Sequence, residues 1–145
     1  MKYFLLSVTI LLTINYAHAQ KTSESESFSI KKFKDLPSWF ENVERTYMLN
    51  DDRMVELELV EFIGGYFPDK GEIFFIDNKE VIFTDNQIKT TENGTIITKN
   101  LKSGPYFIRI SWDKDMSTGA YSEGEINLYM NNILIFKSPL IISGW

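Results

Sequence analysis

The sequence predicts an all-β protein, a small antiparallel β-sandwich that leaves room for one short N-terminal helix. Residues 106–112 alternate apolar and polar side chains, which is the period-2 pattern of a half-buried strand. Asn131-Asn132 separates two apolar runs, and asparagine accepts the positive φ that both central positions of a type I′ hairpin turn require. Residues 72–84 form another pair of apolar runs, around Asn78-Lys79. One alternating strand and two hairpins are typical of a sandwich.

Residues 1–19 have the pattern of a secretory signal peptide. Lys2 precedes a short apolar run, and Ala17-His18-Ala19 has the small-x-small pattern of a cleavage site. The run is shorter than the about 20 apolar residues that span a bilayer, so a retained membrane anchor is the less favoured alternative. We expect a protein exported through the Sec pathway, secreted or periplasmic, without a membrane span after cleavage. Residues 20–29 are rich in Ser and Glu and are predicted to be a flexible leader.

The composition excludes several kinds of catalytic site. The single histidine, His18, lies in the predicted signal peptide, and the chain has no cysteine. The exported part therefore lacks Ser-His and Cys-His nucleophile pairs and thiolate or imidazole zinc sites. The formal charge of −5 disfavours nucleic acid as a partner. We expect no cofactor and no enzymatic activity. A pair of carboxylates that acts on a glycan is the alternative that the composition leaves.

The first elements of the predicted domain, residues 30–145, follow from local patterns. Residues 30–36 are read as an edge strand. Ser38 and Glu41 have the spacing of a capping box, which predicts a short helix over residues 39–47, with another strand as the alternative.

Residues 54–63 alternate as a strand with a β-bulge near Leu59-Val60. Residues 64–71 begin with two glycines, contain Pro68 and end with Gly71, and they are predicted to be a loop. Its aromatic residues, Tyr66 and Phe67, either fold back on the core or form a contact surface.

Both predicted hairpins have apolar residues on both faces, whereas a sandwich buries only one face of each sheet. In the first hairpin the faces are Phe74, Ile76, Val81 and Phe83 against Ile73, Phe75 and Ile82. In the second, the turn pairs Met130 with Ile133 and Leu128 with Ile135, which leaves Tyr129, Leu134 and Phe136 together on the opposite face. The predicted helix, residues 140–142 or another protein must cover the second faces.

Between the hairpins, residues 86–93 are polar, residues 95–98 are a short strand and residues 101–105 are a turn. Asn93-Gly94-Thr95 has the composition of a tight turn.

The acidic segment 113–125 offers candidate ligand-binding side chains. Asp113, Asp115 and Glu123 could supply oxygen ligands to calcium, but their spacing does not fit an EF-hand, which favours a solvated loop. Tyr121 has no apolar neighbour in register, so we expect it to be exposed. Such a ring beside carboxylates can pack against the apolar face of a sugar.

Two segments resemble parts of known β-sandwich domains. Residues 90–95 and 100–110, which include Asn93-Gly94-Thr95 and Ser103-Gly104-Pro105, resemble the closing strands of transthyretin-like or carboxypeptidase-regulatory-like domains. Trp112 followed by residues 124–132 resembles the tryptophan and terminal hairpin of jelly-roll polysaccharide lyases and lectin-like folds. Both resemblances imply an Ig-like or jelly-roll-like sandwich and imply no catalytic residue in this chain.

The functional hypothesis is a non-catalytic exported protein that binds another protein or a second copy of itself, as an accessory, inhibitor or immunity-type protein. The alternative is a carbohydrate-binding module that takes a polysaccharide, and a small glycan-active enzyme comes third. The candidate binding residues are Tyr66, Phe67, Asp113, Tyr121, Glu123, Tyr129, Leu134 and Phe136.

Overall fold

The computed structural model describes residues 29–49, 61–116 and 121–144, whose strands form one antiparallel sheet. The strands are β1 (Arg45–Leu49), β2 (Glu61–Phe67), β3 (Gly71–Ile76), β4 (Lys79–Phe83), β5 (Ile88–Asn93), β6 (Ile96–Ser103), β7 (Tyr106–Asp113), β8 (Tyr121–Met130) and β9 (Ile133–Ser143). Their order across the sheet is β4-β3-β2-β1-β9-β8-β7-β6-β5. The all-β prediction is confirmed. The predicted signal peptide, the leader up to residue 28 and most of the predicted strand 54–63 lie outside the described residues.

The sheet curves so strongly that strands far apart in its order face each other across one interior. β3 and β6 are separated by five strands, yet the side chains of Glu72 and Lys99 meet at 2.5 Å. A single buried cluster contains Phe83 from β4 and Leu101 from β6. Pairing of β1 with β9 joins the meander β1–β4 to the meander β5–β9. The described strands therefore form one continuous, nearly barrel-shaped sheet around this core.

Strand β7 lies where the alternation predicted it. Ile108 and Ile110 are fully buried and Trp112 is 5% exposed, whereas Arg109 between them is exposed. β7 pairs with β6 on one side and with β8 on the other, so both edges of the strand are hydrogen-bonded. Its inner face supplies the centre of the core.

The first hairpin, β3–β4, has the predicted faces but a turn displaced by one residue. Asp77 and Asn78 have φ values of 50° and 58°, so they occupy the turn in place of Asn78-Lys79. A shift of a two-residue turn by one position preserves which residues share a face. The two faces therefore contain the predicted residues, and the structure shows that Phe74, Ile76, Val81 and Phe83 form the inner face, buried in the core.

The outer face of this hairpin is covered by the N-terminal cover, which we define as Phe33, Trp39, Phe40 and Val43. Phe40 is buried with Phe67 and Ile73, and Trp39 and Val43 pack against them. The rings of Phe33 and Phe75 lie 6.2 Å apart, edge to face. A segment of this chain thus covers most of this apolar face, while Ile82 stays 39% exposed.

The predicted helix over residues 39–47 is wrong. Only Ser38–Phe40 turns, as a 3-10 helix, and no side chain caps it. Asn42 then adopts a φ of 62°, and strand β1 follows, which was the alternative prediction. β1 pairs with both β2 and β9, and this tertiary pairing outweighs the weak local preference for a helix.

The second hairpin, β8–β9, has the predicted turn but not the predicted register. Asn131 and Asn132 have φ values of 51° and 66°, as a type I′ turn requires. A bulge between Leu128 and Tyr129 in the pairing then places Leu128 opposite Phe136 rather than Ile135. Phe136 packs against the core, so the prediction that it points away with Tyr129 and Leu134 is wrong.

Two segments predicted as non-strand belong to strands. Residues 64–67 continue β2 because they pair with both β1 and β3. A Cβ on Gly64 would lie 2.7 Å from the Phe74 ring, so glycine leaves space for that ring. Residues 101–103 complete β6, and the chain turns at Gly104, whose φ is 55°.

Residues 30–36 form only isolated bridges, from Ile30 and Phe33, instead of an edge strand. Gly94 has a φ of 64°, which confirms the tight turn between β5 and β6. Within the described ranges, no helix is long and apolar enough to cross a membrane.

Candidate functional site

A cavity of about 440 Å³ that opens to solvent lies on the inner side of the curved sheet. Strands from opposite sides of the curve form its wall. Arg45, Tyr66 and Glu72 come from β1, β2 and β3, while Ile97, Lys99 and Trp112 come from β6 and β7. Asp85 and Thr90 also line the cavity and are exposed, so they mark its mouth beside β5.

Two charged side chains reach this interior because they occupy inward positions of their strands. Glu72 has the same parity on β3 as Phe74 and Ile76, which are core residues. Lys99 has the same parity on β6 as Leu101, which is fully buried. Since side chains alternate between the two faces of a strand, both charges must point into the interior.

Glu72 and Lys99 form a buried ion pair. Glu72 is 1% exposed and Lys99 is 7% exposed. The Lys99 ammonium donates to Glu72 Oε1 at 2.5 Å and to the Tyr47 hydroxyl at 3.2 Å. Arg45 adds a second cation, with its Nη1 3.6 Å from the same Oε1. Burying a charge is costly unless it is paired, and here each member of the pair neutralises the other.

Burial changes the proton affinity of the groups around Glu72. It lowers the pKa of Lys99, although the neighbouring Glu72 carboxylate opposes that shift. It raises the pKa of Tyr47 well above the ordinary tyrosine value, and the negative charge of Glu72 adds to that rise. Tyr47 is therefore a neutral hydroxyl that serves as a hydrogen-bonding group of the site.

The second carboxylate oxygen of Glu72 has unused hydrogen-bonding capacity. Glu72 Oε2 is buried and has no hydrogen-bond partner among the described residues. Lys99 has three N–H donors, and the two described acceptors leave one donor over. An unsatisfied buried polar group costs about 1–3 kcal/mol, more when it is charged. Glu72 Oε2 is therefore a buried acceptor of the ion-pair cluster behind the cavity wall, without accessible surface of its own.

Aromatic surface completes the wall. The Arg45 guanidinium lies over the Tyr66 ring, 5.5 Å from its centroid, on the β1–β2 side. Trp112, which is 5% exposed, lines the opposite side. Charged groups between two aromatic walls can bind a ligand that has both polar edges and apolar faces.

The candidate residues from the sequence lie in several separate places. Tyr66 lines the cavity, whereas Phe67, its neighbour, is buried against Phe40 with ring centroids 5.3 Å apart. Phe67 therefore packs against the N-terminal cover and does not line the cavity. Tyr121 begins β8 and is 52% exposed, as predicted. It is not among the side chains that line the cavity.

The calcium candidates do not converge in the described residues. Asp113 Oδ1 accepts the backbone N–H of Asp115 at 3.0 Å, which closes a local turn. Glu123 lies on β8 and is exposed. No group of three or more Asp, Glu, His or Cys side chains in the part of the chain that the structure describes could hold a metal ion.

Tyr129 and Leu134 lie on the outer surface together with Phe107. We call these three residues the outer aromatic patch. Tyr129 pairs with Phe107 on one side and with Leu134 on the other, and the two rings lie 5.5 Å apart. Leu134 is 47% exposed. Phe136 lies on the other side of the sheet, as its contact with the core shows.

Sequence reasoning missed the central residues of the cavity: Arg45, Tyr47, Glu72 and Lys99. A signal for one of them was present. Glu72 alternates with Phe74 and Ile76, which the sequence groups on one apolar face of the hairpin and which are buried in the structure. A charged residue at such a position indicates either a strand end or a buried polar site, and only the pairing partner distinguishes these cases.

The chain matches no protein-family model, and no curated protein or solved structure is significantly similar to it. The case for a function therefore rests on the geometry of the chain itself.

Proposed function

We propose that this chain is a non-catalytic binding protein that holds a small polar ligand inside its curved sheet. The observation that carries the proposal is a cavity of about 440 Å³ whose lining combines the Glu72–Lys99 pair and Arg45 with the aromatic residues Tyr66 and Trp112. Cavities of about 300–1,000 Å³ that combine apolar walls with a few polar groups are typical small-molecule sites.

The energetics of the pair support a role beyond stability. Replacing a buried ion pair with well-packed apolar residues is often neutral or stabilising. The surrounding interior is made of Ile, Leu and Phe, so apolar residues at these two positions would extend the same core. Both members of the pair lie in the lining of the cavity, where they supply the polar part of its wall.

Composition supports binding rather than catalysis. The part of the chain that follows the predicted signal peptide contains no histidine and no cysteine. The Lys99 ammonium is ion-paired with Glu72 and hydrogen-bonded to the Tyr47 hydroxyl, so it is engaged within the buried cluster. Secretion or a periplasmic location is part of the proposal and depends on cleavage of the predicted signal peptide.

A screen of small polar compounds by thermal shift, followed by calorimetry, tests the proposal. A ligand that binds the folded state raises the melting temperature by mass action. We expect at least one compound to stabilise the protein, and we expect Glu72→Gln to abolish that effect. Glu123→Gln, at an exposed carboxylate outside the cavity, should bind normally.

A screen without any hit would contradict the proposal. A hit that binds both variants equally would place the ligand elsewhere and would also contradict it.

A second candidate function is protein binding through the outer aromatic patch, which the half-exposed Leu134 favours. Aromatic residues are enriched in protein interfaces, where they supply contact area at low entropic cost. The test is a pull-down from the native host with wild-type protein and Leu134→Glu. Loss of a captured protein in the variant would support this function, and identical captures would remove it.

A further inference from the structure

The outer face of strands β5, β6 and β7 has a cluster of exposed cations, which we call the basic patch: Lys89, Lys102 and Arg109. We infer that the basic patch binds an acidic polysaccharide, with Arg109 holding a uronate carboxylate and the two lysines flanking it. The cavity lies on the inner side of the same sheet, so this inference does not depend on the ligand proposed for the cavity.

The strand register brings the three cations together. Lys89 on β5 and Arg109 on β7 both lie directly opposite Asn100 on β6. Lys102 lies two residues further along β6 and therefore has the same parity as Asn100. Leu101, between these two residues, is fully buried, so the patch faces outward. Adjacent strands are about 4.8 Å apart, which places the backbones of Lys89 and Arg109 about 9.5 Å apart.

Two contacts hold the Arg109 side chain in position. Its Nε donates to Asn100 Oδ1 at 3.2 Å, and its guanidinium lies over the Phe107 ring, 5.6 Å from the centroid. The two Nη groups have no hydrogen-bond or ion-pair partner among the described residues. They present parallel N–H donors, which bind both oxygens of one carboxylate. A guanidinium that is already oriented loses less conformational entropy when it forms such a pair.

Acidic side chains of the protein do not neutralise the basic patch. None of its three cations forms an ion pair with an acidic residue in the described ranges. Glu125, on the same outer face, is already paired with Lys137 at 3.0 Å. The patch is therefore a local region of positive potential on a chain whose formal charge is −5. Charge complementarity indicates an anionic ligand.

The spacing of the cations favours a polysaccharide over a nucleic acid. Nucleic acid carries one phosphate for about every 3.4 Å of axis along each strand of a duplex. The net negative charge of the chain repels such a dense polyanion. The separation of about 9.5 Å between Lys89 and Arg109 is close to the length of a two-sugar repeat, and several acidic polysaccharides carry one carboxylate in each such repeat.

The side chains next to the cations also suit a sugar chain. The amide of Asn100 has N–H donors for hydroxyl groups. Tyr129 lies directly opposite Phe107, and the two rings are 5.5 Å apart, so aromatic surface borders the patch. The C–H face of a pyranose packs on such rings while its polar edge meets charged and amide groups.

Calorimetry with polymers of defined charge tests the inference. The probes are hyaluronan, with a carboxylate on every second sugar, polygalacturonate, with one on every sugar, neutral dextran, poly-dT and poly-glutamate. At an ionic strength of about 0.15 M, the interactions between distant exposed charges are screened. We expect saturable binding of a uronate polymer. We expect dextran, poly-dT and poly-glutamate to bind at least about tenfold more weakly.

Three variants locate the site. Arg109→Lys keeps the charge but removes the paired donors, so it should weaken binding of the uronate polymer at least about tenfold. Lys89→Gln should weaken binding severalfold. The matched control is Lys79→Gln, which removes an exposed cation from β4, outside the patch, and should bind like the wild type. All three side chains are exposed, so the melting temperatures should stay the same.

Several results would overturn the inference. Equal affinity for poly-dT would mean that charge alone drives binding, and tighter binding of poly-glutamate would indicate an acidic protein as the partner. Uronate binding that is unchanged in Arg109→Lys, or weakened equally in Lys79→Gln, would place the polymer elsewhere. Absence of uronate binding would remove the inference and leave the cavity ligand unaffected, because Glu72→Gln tests that proposal separately.

Discussion

Tyr47 shows how one buried hydroxyl connects the ion pair to the stability of the fold. Its side chain is 1% exposed, its ring stacks on Phe74 at 5.2 Å, and its hydroxyl accepts from Lys99. Burial and the Glu72 charge together raise its pKa, because both disfavour the phenolate. The hydroxyl must therefore stay protonated for the core around it to persist.

This raised pKa predicts a loss of stability at alkaline pH. Above about pH 10, an unfolded tyrosine loses its proton while the folded Tyr47 keeps it. The folded state then binds more protons than the unfolded state, so the free energy of unfolding must fall as the pH rises. Lys99 has a lowered pKa and acts in the opposite sense, raising stability with pH in the window below its ordinary value.

Urea unfolding between pH 8 and pH 11 checks this prediction when wild type and Tyr47→Phe are compared. The variant lacks the ionisable group, so its stability should decline less steeply above about pH 10. The slopes are compared rather than the absolute values, because the variant also removes an acceptor from Lys99. Parallel curves would show that Tyr47 titrates normally in the folded protein.

At the scale of elements, a single β-bulge decides which face each residue of β9 occupies. The Asn131-Asn132 turn sets the pairing of Met130 with Ile133 and of Tyr129 with Leu134. Beyond the bulge, Phe136 rather than Ile135 lies opposite Leu128. The extra residue reverses the parity of everything that follows in the strand, so Leu140 and Ile142 point into the core.

Because of the bulge, a charge at residue 134 and a charge at residue 136 should have different effects on the free energy of unfolding. Without the bulge, both side chains would share one face and both effects would be similar. Leu134→Glu should change the free energy of unfolding by only about 0.5 kcal/mol, because Leu134 is half exposed on the outer patch. Phe136→Glu should cost several kcal/mol, roughly the cost of placing a charge against a core without a partner. Urea unfolding of both variants measures the difference. Equal losses would mean that the two side chains share a face.

At the scale of the whole molecule, the Glu72–Lys99 pair links the two halves of the sheet. β3 lies in the first meander and β6 in the second, and β1 pairs with β9 to make the backbone connection between these halves. Across the interior, the ion pair supplies a polar contact where the sheet otherwise meets itself through apolar side chains. The curvature of the sheet and the position of the cavity thus depend on both kinds of contact.

A double-mutant cycle tests this link. Glu72→Leu leaves Lys99 as a buried cation with its main partner removed, and loss of one partner from a buried pair typically costs about 3–5 kcal/mol. Adding Lys99→Met removes that cation, so the double variant should regain most of the loss. Chemical denaturation gives all four stabilities. A double variant as unstable as the sum of the single variants would show that the two charges do not interact.

Some elements of this fold could be predicted from the sequence, and others could not. Residues 106–112 and the Asn131-Asn132 turn were predictable because alternation and positive φ are local properties. The grouping of residues on each face of both hairpins also followed from parity, apart from residues beyond the bulge. The helix over residues 39–47 did not, since pairing of β1 with two neighbours competes with local preference and depends on residues far away in the chain. Gly64 was predicted to be a loop residue. This glycine leaves space for the ring of Phe74, which belongs to another strand, so local sequence did not reveal its position in β2.

The sequence by itself determined the class of fold, the strands with clear alternation and the absence of histidine- or cysteine-based chemistry from the predicted exported part. Only the tertiary structure decided where the charges meet. Glu72 and Lys99 are 27 residues apart, and their contact exists because a continuous sheet curves until β3 faces β6. Alternation specifies the face of a strand but not its partner across the interior. Curvature arises from the combined twist and packing of all the strands, so the site could not be derived from any one of them.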